Sequence, residues 1–490
     1  MRILTAFPRR VVDDPDMAIV LSDGCRLSAR VWLPDDAAAN PVPAVLEYIP
    51  YRKRDGTLPR DELMHPYVAG HGYACVRVDM RGNGDSEGLM ADEYTPQELA
   101  DACEVIDWLS RQPWCTGRVG MMGKSWGGFN CLQTAFLRPP ALRAVISVMS
   151  TTDRFADDIH FKGGCLLNEN LGWASVMLSY SSRPADPALR QGWREDWLAR
   201  LDNEPFLAAR WLSHQSRDAY WKHGSVCEDW EAIQVPVLSI GGWADNYMNT
   251  VSHLVTNLKV PAKGIVGPWV HQYPQTAVPG PQIGFLQEAI RWWDRWLKDI
   301  PNGAGDDPAY RVYMLDSAPP DASSPYRPGH WVAETVWPSP RVRVETTALS
   351  PGGLLGGAGG ALDRAICTPQ TLGFSAGEFF PMGLDAEMPG DQRHDDALSV
   401  CFETAPLGAP LDLMGAAVLR ATVSSDRPMA LIAARLCDVA PDGSSVRIAH
   451  GLLNLCHRDS AETPSRMVPG RAVPIALTLD QMAYRLAPGH

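Results

Sequence analysis

The chain has 490 residues, enough for about three domains at roughly 150 residues each, which excludes a single small binding module. A hydrophobic share of 45% against 21% charged residues is that of a globular chain able to bury a core, and it excludes disorder. With 44 basic and 57 acidic residues the net charge is −13, so nucleic acid and anionic membrane surfaces are not expected as partners.

The first ten residues are basic but carry no apolar stretch, and nowhere do 18 apolar residues run together, so neither a secretory signal nor a membrane span is expected. Eleven cysteines without a C-x-x-C pair suit neither a disulfide framework nor a zinc site and predict a reducing, cytoplasmic setting. Asp23-Gly24 lies between two runs rich in β-formers and predicts a hairpin. Apolar runs at Val42–Ile49, Ala74–Met80, Val119–Met122 and Ala144–Met149 then alternate with helix-like stretches, the pattern of a parallel sheet with crossover helices. The clearest helix is Thr95–Gln112. Thr95 can cap it, Pro96 takes the first helical position, Glu98 offers a capping box, and Leu99, Cys103, Ile106 and Leu109 make one stripe.

Between residues 151 and 235 the strand pattern stops and tryptophans are spread through helix-permissive sequence, which predicts an inserted helical cap. The sheet pattern resumes at Pro236–Asp245 and Lys263–His271, and a helix is expected near Phe285–Lys298. Turn-forming residues from Pro301 to Pro308 mark a boundary. Beyond it, strand-like runs at Tyr310–Leu315, Val342–Leu349, Ala417–Ser424, Met429–Val439, Val446–Leu455 and Val473–Leu479 predict an all-β sandwich or jelly roll. The expected organisation is an α/β catalytic domain in two segments, 1–150 and 236–300, a cap over 151–235, and a β domain over 309–490.

G-x-S-x-G occurs around Ser86, Ser125 and Ser375. A serine nucleophile needs a sharp strand-to-helix turn that leaves its Oγ exposed, and only Ser125 lies between a strand pattern and a plausible helix. Ser86 reads as a loop that braces the site, and Ser375 falls in the β half. Gly123-Lys124-Ser125 also ends like a phosphate-binding loop. The first glycine of that motif is misplaced, however, and Val119–Met122 reads as strand, so nucleotide binding is not expected.

A serine nucleophile needs a base, and the base needs an acid that fixes its tautomer. In the order Ser, Asp, His, Asp245 and His271 each follow a later strand and meet that demand at the carboxyl edge of the sheet. Taken singly, Asp245 reads equally well as a helix cap and His271 as a surface residue; order and placement favour the pair. The other histidines have weaker claims: His65 and His71 precede the nucleophile, His160, His214 and His223 fall in the cap, and His253 lies on a helix.

Gly123-Lys-Ser-Trp-Gly-Gly128, Gly241-Gly-Trp-Ala-Asp245, Gly267-Pro-Trp-Val-His271 and Asp79–Gly88 resemble the cocaine-esterase-like (CocE/NonD) hydrolases related to X-Pro dipeptidyl peptidases. The resemblance spans nearly the whole chain and implies an α/β-hydrolase domain with an inserted helical cap, followed by a jelly-roll-like domain. It also implies Ser125 as nucleophile, His271 as base and Asp245 as orienting acid. The oxyanion hole would combine the Trp126 N–H with the Tyr51 hydroxyl, although on sequence alone Tyr51 reads as a packing aromatic. Trp126 stands where the family usually has Tyr. Family members continue past Pro488-Gly-His490 through further strands, so the resemblance implies a truncated β domain with sheet edges left to be paired or covered.

The expected function is a serine hydrolase that cleaves carboxylic ester or amide bonds through an acyl-enzyme, acts on a small ester or short peptide, and needs no metal or organic cofactor. An X-Pro dipeptidyl-peptidase type of aminopeptidase is the alternative within hydrolases, and a noncatalytic ligand- or carbohydrate-binding protein the alternative outside them. A homo-oligomer is left open. Trp173, Trp243 and Trp269 are candidates for an aromatic substrate pocket, though tryptophans in a helical cap more often serve packing. Asp153, Asp157 and Asp158 suit either a site for a substrate ammonium or, as expected here, a solvated acidic face.

Overall fold

The computed structural model describes residues 3–382 and 385–490. Antiparallel β1 (Val11–Val20) and β2 (Arg26–Pro34) open the main sheet, with Gly24 at φ 87° in the turn between them. A positive φ of this kind costs glycine little. The central strands β3 (Val42–Ile49) and β4 (Ala74–Asp79) are buried along their whole length, as befits parallel strands covered by helices on both faces. The helices of this half are α1 (Leu58–Gly70), α2 (Pro96–Ser110) and α3 (Trp126–Phe136), and the next strands are β5 (Cys115–Lys124) and β6 (Leu142–Val148). Thr95 caps α2 by accepting from the Glu98 N–H at 3.1 Å. The reciprocal half of the expected capping box is replaced, because the Glu98 carboxylate accepts from Trp126 Nε1 at 2.6 Å.

The cap carries a two-residue hairpin, β7 (Phe161–Lys162) with β8 (Cys165–Leu166), and helices α4 (Glu169–Ser181), α5 (Trp193–Asn203), α6 (Leu207–Ser213) and α7 (Ala219–Lys222). Arg200 of α5 ties it down, donating to the carbonyls of Gly84 and Ser86, and Arg52 donates to the carbonyl of Pro184 at 3.0 Å. The sheet then resumes in β9 (Val237–Gly242), α8 (Asn249–Asn257), β10 (Ala262–Gly267) and α9 (Phe285–Leu297).

The sheet continues across the expected boundary near residue 300. β11 (Tyr310–Asp316) pairs in parallel with β10, burying Tyr310 and Val312 against Val251 and Val266, while β12 (Gly329–Glu334) pairs antiparallel to it. The run expected as a strand over Val342–Leu349 stays mostly irregular and exposed, and only its end forms the short pair β13 (Leu349–Ser350) with β14 (Leu354–Leu355). After α10 (Arg393–Ala397) come β15 (Leu411–Val423), β16 (Leu431–Val439), β17 (Ser445–Asn454) and β18 (Val473–Leu486). β18 joins β11, and β15 joins β18, so that among the described residues the main sheet holds 12 strands in the order β1-β2-β4-β3-β5-β6-β9-β10-β11-β18-β15, with β12 off β11. The β16–β17 hairpin lies over the end of that sheet, where Ala449, Leu477, Leu479 and Met482 pack with Leu419, Ile432 and Leu436. The architecture is an α/β-hydrolase domain with a helical cap and a β-rich C-terminal domain.

Candidate active site

Ser125 sits between β5 and α3 with φ 58° and ψ −125°, a backbone conformation that only a closely constrained turn maintains in a non-glycine residue. Its N–H donates to the carbonyls of Val148 and Met149 at 3.0 and 3.1 Å, and its carbonyl accepts from Phe129 N–H at 2.9 Å, so the strand on one side and the helix on the other hold the turn. The flanking glycines are needed sterically. A Cβ on Gly123 would stand 2.6 Å from the Gly127 Cα, closer than any side chain tolerates.

Asp245 and His271 follow β9 and β10, and both are buried. His271 Nδ1 lies 3.1 Å from Asp245 Oδ1. With the carboxylate as acceptor, Nδ1 carries the proton and Nε2 is left as an acceptor. The ring packs on Phe380 at 4.4 Å and Tyr247 at 5.8 Å between centroids, two of the side chains that line a small cavity with Ser125. Among the described residues no hydrogen bond joins Ser125 Oγ to His271; Tyr247 and Phe380, which line the cavity with Ser125, stand against the imidazole. Burial, and next the Lys124 ammonium, push the imidazole down to about 4 against the pull of Asp245. Lys124 Nζ donates to the His271 main-chain carbonyl at 2.9 Å.

Tyr51 lies on the loop after β3. Burial raises its phenol far above the usual value, against the opposing effect of a hydrogen bond with the Ser125 side chain, so it is a neutral donor at any working pH. That loop is braced by the motif around Ser86: Lys53 Nζ donates to Asp85 Oδ2 at 2.7 Å, Lys53 N–H to Asp79 Oδ1 at 2.8 Å, and Ser86 Oγ to the Asp79 carbonyl at 2.6 Å. Trp126 opens α3, where the first N–H groups of a helix lack intrahelical acceptors. Its indole is fully buried among Tyr51, Tyr94 and Trp173. Ser375 lies in a loop and its N–H caps onto Asp395 at 3.1 Å, away from any strand-to-helix turn.

Trp173 lines the cavity, and its Nε1 donates to Glu93 Oε2 at 3.3 Å. Trp243 and Trp269 do not reach it, which corrects their expected place in a substrate pocket. Trp243 donates to the Tyr313 carbonyl at 2.7 Å and packs beside β11, while Trp269 is fully buried and donates to the Pro281 carbonyl at 2.9 Å. Each indole is used as a core side chain with its N–H satisfied.

The expected solvated acidic face does not form either. Asp153 pairs with Arg217, and Asp157 with Lys162 and Asn249. Asp158 is buried in the cavity wall, where its Oδ1 accepts from Tyr247 OH at 3.0 Å and Ile159 N–H at 2.7 Å, and its Oδ2 has no partner. Burial raises this carboxyl to about 7, against the opposing charge of His160 and with help from Glu93. Glu93 itself accepts from His160 Nε2 at 2.7 Å and Arg154 at 3.0 Å; burial works against its ionisation, but these two cations hold it down to about 2. Sequence reasoning missed Glu93, His160 and Tyr247 as cavity residues. The one available signal was the acidic run at Asp153–Asp158 next to His160.

The family model of the X-Pro dipeptidyl-peptidase (S15 family) matches residues 23–273, and that of the X-Pro dipeptidyl-peptidase C-terminal non-catalytic domain matches residues 302–490. The chain belongs to this S15 family. It is similar to the cocaine esterase of Rhodococcus sp. (strain MB1 Bresler), with 26% identity over 97% of this chain and 88% of that protein. Solved structures that share its fold include the following two. A CocE/NonD family hydrolase from Staphylococcus aureus has a TM-score of 0.75 at 17% identity, covering 98% of this chain and 84% of that one. An α-amino acid ester hydrolase has a TM-score of 0.73 at 20% identity, covering 100% and 89%. This S15 chain is therefore a serine hydrolase of the esterase and peptidase group. Among the described residues no helix is long and apolar enough to cross a membrane.

Proposed function

We propose that this hydrolase cleaves carboxylic esters by acyl transfer, with Ser125 as nucleophile, His271 as general base and Asp245 as the acid that orients it. His271 Nε2 takes the Ser125 proton as Oγ attacks the carbonyl carbon. The oxyanion that forms is held by Tyr51 OH and Trp126 N–H, and the protonated imidazole returns its proton to the departing alcohol. Water, deprotonated by the same imidazole, then attacks the acyl-enzyme, and the acid leaves as Ser125 regains its proton. The reading rests on one observation: a serine on a strained strand-to-helix turn lines a cavity whose walls, Tyr247 and Phe380, also pack against an imidazole whose Nδ1 is fixed by a buried carboxylate.

A second reading is favoured by Asp158. Its unpartnered oxygen in the cavity wall is suited to a substrate ammonium, as an X-Pro dipeptidyl-peptidase type of substrate would present. The test has two stages. Wild type assayed at mildly alkaline pH is expected to take a fluorophosphonate label that Ser125→Ala abolishes, and an unlabelled, folded wild type rejects the nucleophile assignment. Acyl p-nitrophenyl esters are expected to turn over faster than X-Pro p-nitroanilides, and the reverse order moves the assignment to the second reading.

A further inference from the structure

Lys124 precedes the proposed nucleophile and reaches the base-bearing loop. Its ammonium donates to the main-chain carbonyl of His271 at 2.9 Å, spanning 147 positions of sequence to join the end of β5 to the loop after β10. The charged and titratable groups that face it are Arg60 of α1, Glu47 of β3, Asp245 and His271. Asp245 is fully buried, and only one of its carboxylate oxygens is bonded to the imidazole; Oδ2 has no hydrogen-bond partner. A buried carboxylate in that condition requires a nearby positive charge. A neutral imidazole does not provide one, whereas Lys124 does.

We propose that Lys124 is a positioning residue that clamps the His271 loop through its main-chain carbonyl and stands as the counter-charge to the Asp245 carboxylate. The imidazole is then free to rest unprotonated as a base, since the carboxylate does not depend on it for compensation. The same ammonium repels a proton on His271 and so extends the working range of the base toward acid pH. Its own proton is the more loosely held for being buried and facing Arg60, with Asp245 and Glu47 opposing, which leaves it at about 8. The inference rests on the acyl-transfer reading, because it gives Lys124 a role only through His271.

The test is the pH profile of kcat/KM for a p-nitrophenyl ester, whose midpoints do not depend on how much of a variant is folded. Removal of the charge in Lys124→Met is expected to raise the acid limb by about one pH unit. Lys124→Gln keeps a donor for the His271 carbonyl but no charge, so it should show the same limb with a smaller loss of kcat. Lys124→Arg keeps the charge and should restore the wild-type limb. A Lys124→Met limb that coincides with wild type overturns the proposal even if kcat and thermal stability fall, as a purely structural lysine would have it. A Lys124→Arg limb displaced as far as that of Lys124→Met overturns it as well. In each of these cases Ser125 still takes the fluorophosphonate label. A wild type that takes none overturns the acyl-transfer reading and this proposal together.

Discussion

Two buried clusters in the hydrolase half are built from the same ingredients and end in different states. Behind β3, Glu47 and Asp61 meet His65, Arg60 and Arg77, and every carboxylate oxygen accepts a hydrogen bond: Glu47 from Tyr273, Arg60 and His65, and Asp61 from Arg60 and Thr57. The three potential ligands Glu47, Asp61 and His65 lie within 4.8 Å of one another, as a metal site requires, but two guanidinium groups already supply the positive charge. At the cavity, Glu93 and Asp158 meet His160 and Arg154, and one oxygen is left over. A cluster whose carboxylate oxygens are all bonded can only hold the fold together. A cluster with one open valence facing a cavity can also engage a ligand, and this contrast separates scaffold from site more clearly than residue type does.

Three substitutions test this contrast. The largest effect is expected behind β3, where Arg77→Met strips the buried carboxylates of a cation and should cost about 3–5 kcal/mol in chemical denaturation. A loss below about 1 kcal/mol there would mean the cluster is not the scaffold described. At the cavity, Glu93→Gln should cost less, about 2 kcal/mol, since Arg154 keeps its carbonyl acceptors on Tyr220 and His223. The same variant should lose the part of its stability that wild type sheds as pH falls from 4.5 toward 2, the interval over which Glu93 takes up its proton. Asp158→Asn should go the other way. A carboxyl raised from 3.8 to about 7 by burial stabilises the fold fully below pH 3.8 and ceases to do so as pH rises through 7. The variant should therefore gain on the order of 1 kcal/mol over wild type at pH 8 and little or nothing at pH 4, read by denaturation at both values. Equal stability at pH 8 would show that Oδ2 is already satisfied.

What the sequence makes legible follows the range of the forces involved. The turn at Ser125 is written locally, in two glycines and the strand and helix that flank them. Asp245 and His271 can be found because parallel strands deliver residues to one edge whatever lies between. Glu93 and His160 cannot be found this way, since they meet only after the cap has folded over the segment before α2. Trp243 and Trp269 mislead for a related reason: each stands two residues before a proposed triad member, yet the turns after β9 and β10 aim those indoles into the core toward Tyr313 and Pro281. The strand at Tyr310–Asp316 is legible as a strand, but its partner is not. Tyr-Arg-Val-Tyr-Met-Leu-Asp suits a sandwich edge as well as a parallel sheet, and burial against α8 and β10 decides between them.

That shared strand also bears on inheritance. Because β11 hydrogen-bonds along one edge to β10 at its start and to β18 at its end, with β12 on the other edge, the C-terminal part is not a cassette that recombination can swap at the turn-rich stretch near residue 305. Lys162, in the cap beside the cavity wall, is held in addition by Asp480 of β18. A lineage that exchanged one half for a foreign counterpart would inherit an unzipped ladder and an ammonium left with one of its two carboxylates, so drift in either half is answerable to the other.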